Sequence, residues 1–133
     1  MNGKFLLDTN IILGFLKGDT AIVNYLENAE TTELCASVIT RMELLSFPNI
    51  APEEKALIVD FLNLLSIVPL NHDVERTAIR LRRATRRKLP DAIVAASAIE
   101  SQATLITCDH ELLATEFSGL QTLNPKMPKG RNV

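Results

Sequence analysis

Four acidic residues, Asp8, Glu43, Asp91 and Asp109, stand far apart in the chain, yet each adjoins an element that would carry it to one edge of a sheet. Asp8 follows the apolar run Phe5-Leu6-Leu7, and Asp109 follows Leu105-Ile106-Thr107. Asp91 opens a long apolar helix, and Glu43 is expected on a short helix after a strand around Leu34-Cys35-Ala36. Open parallel α/β sheets bind ligands beyond the carboxyl ends of their strands. Carboxylates gathered there repel one another unless a cation sits between them. An all-oxygen donor set suits Mg²⁺ or Mn²⁺. These residue types in this arrangement point to metal-dependent hydrolysis.

Each acid also has a structural reading. Asp8-Thr9-Asn10 could simply cap a helix. Asp91 beside Pro90 suits a first helical turn, Asp109 suits a turn, and Glu43 suits a solvated helix face. What favours chemistry is that several of them mark element boundaries at the same sheet edge.

The elements that must position them alternate between short apolar runs and helical periodicities, the pattern of βαβ units and a parallel sheet. Strands are expected near 4–7, 33–37, 66–70, 104–107 and 120–123. A first helix from Asn10 to about Gly18 carries Ile11, Ile12, Phe15 and Leu16 at helical spacing. Asp19 or Thr20 would cap a second helix, with Ile22, Val23 and Leu26 inward. Thr40 would cap, or lie early in, the helix holding Glu43. Pro52-Glu53-Glu54 marks a further helix start, with Leu57, Ile58, Phe61, Leu62 and Leu65 on one face. A helix from about His72 to Arg87 precedes one from Pro90 to about Gln102. The latter is apolar nearly all round and therefore expected to be buried. The tail from Asn124 to Val133 reads as irregular.

The chain has 133 residues, 47% hydrophobic and 23% charged, enough for one domain with a core of its own. Nothing reads as a signal peptide, and no apolar run approaches the ~18–20 residues that span a bilayer. Cys35 and Cys108 lie in or beside apolar strands as small core residues, consistent with a reducing cytoplasm. A net charge of −2 does not advertise nucleic-acid binding, but seven of the fourteen Lys and Arg residues fall between Arg76 and Lys88. Arg76, Arg80, Arg83 and Arg87 would form one stripe on a helix, with Val74, Ala78, Leu81 and Thr85 opposite. Such a stripe is either a solvated face or a footprint for an RNA backbone or an acidic protein partner.

Four segments in order, Leu6-Leu7-Asp8-Thr9-Asn10, Thr40-Arg41-Met42-Glu43-Leu44, Leu89-Pro90-Asp91-Ala92-Ile93-Val94-Ala95-Ala96-Ser97-Ala98 and Leu105-Ile106-Thr107-Cys108-Asp109, resemble a PIN domain. More narrowly, they resemble the small VapC-type ribonuclease toxins of toxin–antitoxin pairs. The resemblance spans nearly the whole chain, making residues 1–133 a single PIN-like domain. It implies a three-layer α/β/α fold around a parallel sheet of four to five strands. It also implies RNA cleavage with Mg²⁺ or Mn²⁺, leaving 5′-phosphate and 3′-hydroxyl ends. Further implications are a homodimer, a larger toxin–antitoxin assembly and silencing by a cognate antitoxin. Asp8, Glu43, Asp91 and Asp109 become the acidic metal-binding set. Thr9 and Asn10 fall where the family supports its first Asp, and Thr107 where a Ser or Thr often lines the pocket. One departure is Leu112, where many members carry an aromatic residue in a D-x-x-F pattern; altered packing beside the pocket is expected.

A divalent ion among these acids would reverse the local sign, polarise a phosphoryl oxygen and lower the pKa of bound water. Asp8, Asp91 and Asp109 would bind it directly or through water, and Glu43 either joins them or orients the attacking water. His110 adjoins Asp109, but metal-ion hydrolysis needs no histidine, and His72 reads as a helix start. Tyr25 and the five phenylalanines read as core, which argues against base stacking. Asn10 stands where a dehalogenase-type phosphotransferase would need a second Asp, and Asp8-Thr9-Asn10 replaces a glycine-rich nucleotide loop. A PIN nuclease of RNA processing or acting on DNA, and a catalytically silent protein-binding domain, are the alternatives.

Overall fold

The computed structural model describes residues 3–30 and 33–127. Its centre is β1 (Lys4–Leu7), in a five-stranded sheet of order β3-β2-β1-β4-β5 whose four pairings are all parallel. The flanking strands are β2 (Glu33–Ser37), β3 (Ser66–Val68), β4 (Thr104–Ile106) and β5 (Thr122–Leu123). β1 is apolar on both faces because each face is covered, as parallel sheets require. Phe5 and Leu7 pack into a layer with α1 (Thr9–Leu16), α2 (Thr20–Asn28) and α4 (Pro52–Leu62). Leu6 packs the other way, against α5 (His72–Thr85), α6 (Leu89–Glu100) and Leu112 of α7 (His110–Leu113). This is the three-layer α/β/α arrangement.

α3 (Val38–Leu45) joins the two layers, with Leu44 buried in the first and Ile39 packed against the second. The chain runs outward from β1 to β3 and then returns through α5 and α6 to the far side of β1 as β4. Strand order therefore reverses between β1 and β4, the place where an open α/β sheet leaves a crevice at its carboxyl edge. The pairing continues one residue past the strands, through the Asp8 amide to Ile106 O at 3.0 Å and the Thr107 amide to Leu123 O at 3.0 Å.

α6 explains its own sequence: Ala92 to Ala98 is buried at every position, and buried Ser97 donates its hydroxyl to Ile93 O at 2.7 Å. Small side chains let this helix lie close on the sheet and on α5. Among the described residues no helix is long and apolar enough to cross a membrane. Cys35 and Cys108 are unpaired thiols, the first buried and raised to about 11 by that burial.

Several expected boundaries move. α1 starts at Thr9, because Asp8 is itself the cap, and Asp19 caps α2 through the Ala21 and Ile22 amides. α3 starts at Val38 with Ser37 as its cap, so Thr40 lies inside the helix, fully buried, its hydroxyl without a hydrogen-bond partner. Ile58, Phe61, Leu62 and Leu65 are buried as expected, but Leu57 is 56% exposed, at the flank of that face. The edge strands β3 and β5 are shorter than their apolar runs, as unprotected sheet edges tend to be. α5 ends at Thr85, where Arg86 takes a left-handed backbone (φ 63°) and donates its amide to Arg82 O at 2.8 Å. Asn124–Met127 is irregular, and the rest of the expected tail lies outside the described residues.

Candidate active site

Asp8 is placed by the step from β1 into α1, in extended backbone with the rest of α1 rising from it. Its side chain is 8% exposed, and both oxygens are held. Oδ1 accepts the Thr9 backbone amide at 2.8 Å; Oδ2 accepts the Thr107 hydroxyl at 2.7 Å and the Asn10 side-chain Nδ2 at 3.4 Å. Asn10 in turn accepts the Cys108 amide at 3.2 Å, so the ends of β1 and β4 are tied together by side chains. Thr107, fully buried, also accepts the Asp109 amide at 3.0 Å.

Asp109 caps α7, with Oδ1 taking the Glu111 and Leu112 amides at 2.8 and 3.2 Å. Glu43, on α3, accepts the Thr9 hydroxyl at 2.6 Å. Asp91 stands in the first turn of α6 and is half-buried. Asp8, Glu43, Asp91 and Asp109 together line one cleft of about 610 Å³, with Thr9, Asn10, Leu13, Ser46 and Phe47.

The electrostatics follow from this gathering. Burial pushes the Asp8 carboxyl up, the Thr107 and Thr9 hydrogen bonds pull it back, and the Asp109 and Glu43 charges push it up again. The balance is upward. Burial likewise raises Asp91, reinforced by Asp109 and Asp8, with Lys88 opposing and Glu111 adding repulsion. Mutual repulsion means that the four acids, scattered in sequence, feel one another in space. Among the described residues, no three of these side chains converge closely enough to grip an ion unaided. Mg²⁺ retains several waters and takes few carboxylates directly, so an open, all-oxygen cleft is compatible with a water-rich ion.

A second concavity of about 440 Å³ adjoins the cleft, lined by Leu13, Leu16, Phe47, Ile50, Leu57 and Ile58 among others. Leu13 and Phe47 belong to both.

The sequence profile of the PIN domain family matches residues 5–118. The chain belongs to the PIN domain family. A toxin–antitoxin complex from Klebsiella pneumoniae contains a chain 27% identical to this PIN domain, with a TM-score of 0.77, covering 90% of this chain and 96% of that one. VapBC2 from Rickettsia felis, bound to a DNA fragment from its promoter, is 22% identical with a TM-score of 0.77, covering 91% and 98%. DNA-bound VapBC from Salmonella typhimurium is 22% identical with a TM-score of 0.76, covering 94% and 99%. No curated protein sequence matches.

In this PIN domain Leu112 fills the position of the family's expected aromatic and is fully buried in the layer with α5 and α6. The basic stripe is only partly a stripe. Arg76 makes an exposed 4.0 Å pair with Asp73, and Arg80 lies over the Phe117 ring at 5.6 Å. Arg83 is exposed on the last turn. Arg87 leaves the face altogether: past the left-handed Arg86, its Nε donates to the Thr115 hydroxyl at 2.8 Å. None of the four lines the acidic cleft. His110 and His72 are exposed and do not line it either.

Sequence reasoning missed three neighbours of the acids. Lys88 and Glu111 act on Asp91 by charge, and both sit within three positions of an assigned acid, the one available signal. Phe47, expected in the core, stands at the rim of the cleft, 37% exposed.

Proposed function

We propose that this PIN domain is a divalent-metal-dependent endoribonuclease that hydrolyses RNA phosphodiester bonds as the toxin of a toxin–antitoxin pair. The observation that carries this reading is the convergence of Asp8, Glu43, Asp91 and Asp109 on one cleft at the β1/β4 reversal. A Mg²⁺ or Mn²⁺ ion there would supply Lewis acidity toward the phosphate and an acidified water. Asp8, Asp91 and Asp109 are the residues to hold it, directly or through water.

Thr107, Asn10 and the Thr9 amide fix the Asp8 carboxylate and leave it little freedom to turn away. Asp109 commits Oδ1 to the α7 amides, which leaves Oδ2 for a ligand. Glu43 is braced by Thr9 and either joins the donor set or orients the attacking water. The family resemblance implies that water displaces the 3′ oxygen, leaving 5′-phosphate and 3′-hydroxyl ends. Arg80 and Arg83 on α5 are assigned to the RNA backbone beyond the cleft, with Arg76 a weaker contributor. The toxin–antitoxin complexes among the structural relatives support a cognate antitoxin as partner. A homodimer as working unit and a cytoplasmic setting complete the proposal.

The test is cleavage of defined RNAs by the purified protein. Cleavage is expected with Mg²⁺ or Mn²⁺, absent with chelator, and lost in Asp8→Asn and Asp91→Asn variants that still fold. Undiminished cleavage in chelator would reject the mechanism.

A further inference from the structure

We propose that Phe47 is a stacking platform for a nucleobase of the RNA beside the scissile phosphate. This rests on the ribonuclease reading and adds the residue that would hold substrate next to the acids. A lone exposed Phe is ordinary on a protein surface, so its place decides the matter. Phe47 is the single aromatic lining the acidic cleft among the described residues, and it also walls the adjoining apolar concavity.

The backbone around it is braced. Ser46, ending α3, donates its hydroxyl to Met42 O and its amide to Glu43 O. Pro48 confines Phe47 to extended backbone, and Asn49 at φ 60° turns the chain towards Ile50. With the backbone already braced, less of this segment has to be ordered when a ligand meets the ring.

The need follows from the lining of this cleft. A divalent ion would attract the reacting phosphate, but among the described residues no Lys or Arg lines the cleft to hold the nucleotides on either side of it. A contact that does not depend on charge would hold the neighbouring nucleotide in place. Base stacking on an aromatic face is such a contact. It is open to every base and is typically worth roughly ten- to hundred-fold in affinity. Leu13, shared by the same two concavities, extends the apolar surface beside the ring.

The test uses the full chain, Mn²⁺ and a single-stranded RNA oligonucleotide that the wild type cleaves. Phe47→Ala is expected to raise KM by about ten- to hundred-fold with kcat little changed. Phe47→Trp should restore KM, while Phe47→Leu, apolar but without an aromatic face, should stay with the Ala variant. Should the Ala variant not fold, the Leu and Trp variants carry the comparison. An oligonucleotide abasic at the stacked nucleotide should remove the gap between wild type and variant. An unchanged KM in Phe47→Ala, or full rescue by Leu, would overturn the proposal. So would a variant that keeps its KM but no longer binds a co-expressed antitoxin, which would give the ring to a protein partner. A wild type inert towards every RNA overturns the ribonuclease reading as well, so the two failures are told apart.

Discussion

The Thr107 hydroxyl joins two of the four acids, donating to Asp8 Oδ2 at 2.7 Å and accepting the Asp109 amide at 3.0 Å. It is fully buried and spans the ends of adjacent strands. One hydroxyl thus ties the carboxylate of Asp8 to the backbone of Asp109, whose charge repels it.

Thr107→Val keeps the shape and removes both hydrogen bonds. The loss strands the Asp8 carboxylate without its strongest side-chain donor, at a cost on the order of 1–3 kcal/mol in stability. Activity should fall further than stability requires, because Asp8 is then free to turn. Thr107→Ser, which keeps the hydroxyl, should recover most of both; thermal melts and cleavage rates on the three proteins check this. Equal behaviour of Val and Ser would return Thr107 to plain packing.

Asp91 gives a pH dependence whose sign is fixed by its neighbours. Its carboxyl is raised by burial and then by Asp109 and Asp8. An acid raised on folding favours the folded state when protonated. That contribution is present below the ordinary carboxylate range and is lost as pH rises through the raised value. At pH 7 in chelator, Asp91→Asn should therefore melt a few degrees above the wild type, with the gap closing in acid. A variant that melts lower at pH 7 would show that Asp91 is stabilising as a carboxylate.

Thr9 orients Glu43 through a 2.6 Å hydrogen bond. Thr9→Val should lower kcat while leaving the fold intact, since Glu43 is exposed and the helix cap at Asp8 uses the Thr9 amide, not its side chain. Glu43→Gln should lower it further. If Thr9→Val is silent, Glu43 works without positioning.

On α5, the arginines divide. Arg80→Ala/Arg83→Ala should weaken RNA binding and reduce the salt slope by roughly 0.7 for each phosphate of a single strand that is no longer neutralised. Arg87→Ala should change the slope less, because Arg87 lies past the end of α5 and turns to Thr115, away from the face that carries Arg80 and Arg83. Binding isotherms over a salt series separate the two. A slope unchanged in the double variant would make those residues a solvated face.

The acidic cleft is legible in sequence because its parts follow from local rules. An apolar run ending in Asp8 must deliver that side chain to the carboxyl end of a strand, and a helix apolar all round must be buried with Asp91 at its start. Which helix residue faces the cleft is a tertiary matter. Phe47 is indistinguishable from a core aromatic in sequence; only the braced turn at Pro48 and Asn49 brings it to the rim. Arg87 reads as a stripe residue by spacing alone, since nothing in Arg86 announces a left-handed backbone. Thr40 lies early in α3, one of its two expected places; sequence leaves the cap open because Ser37, three residues earlier, reads equally well as the end of a strand.

Titration of Mn²⁺ into the purified protein, read by calorimetry or by the electron-spin signal of the free ion, bears most directly on the carboxylate cleft. Stoichiometric binding to the wild type, with at least a tenfold loss (about 1.4 kcal/mol) in Asp8→Asn and in Asp91→Asn, is the predicted result. Binding that is absent from the wild type, or equally strong in both variants, would contradict it.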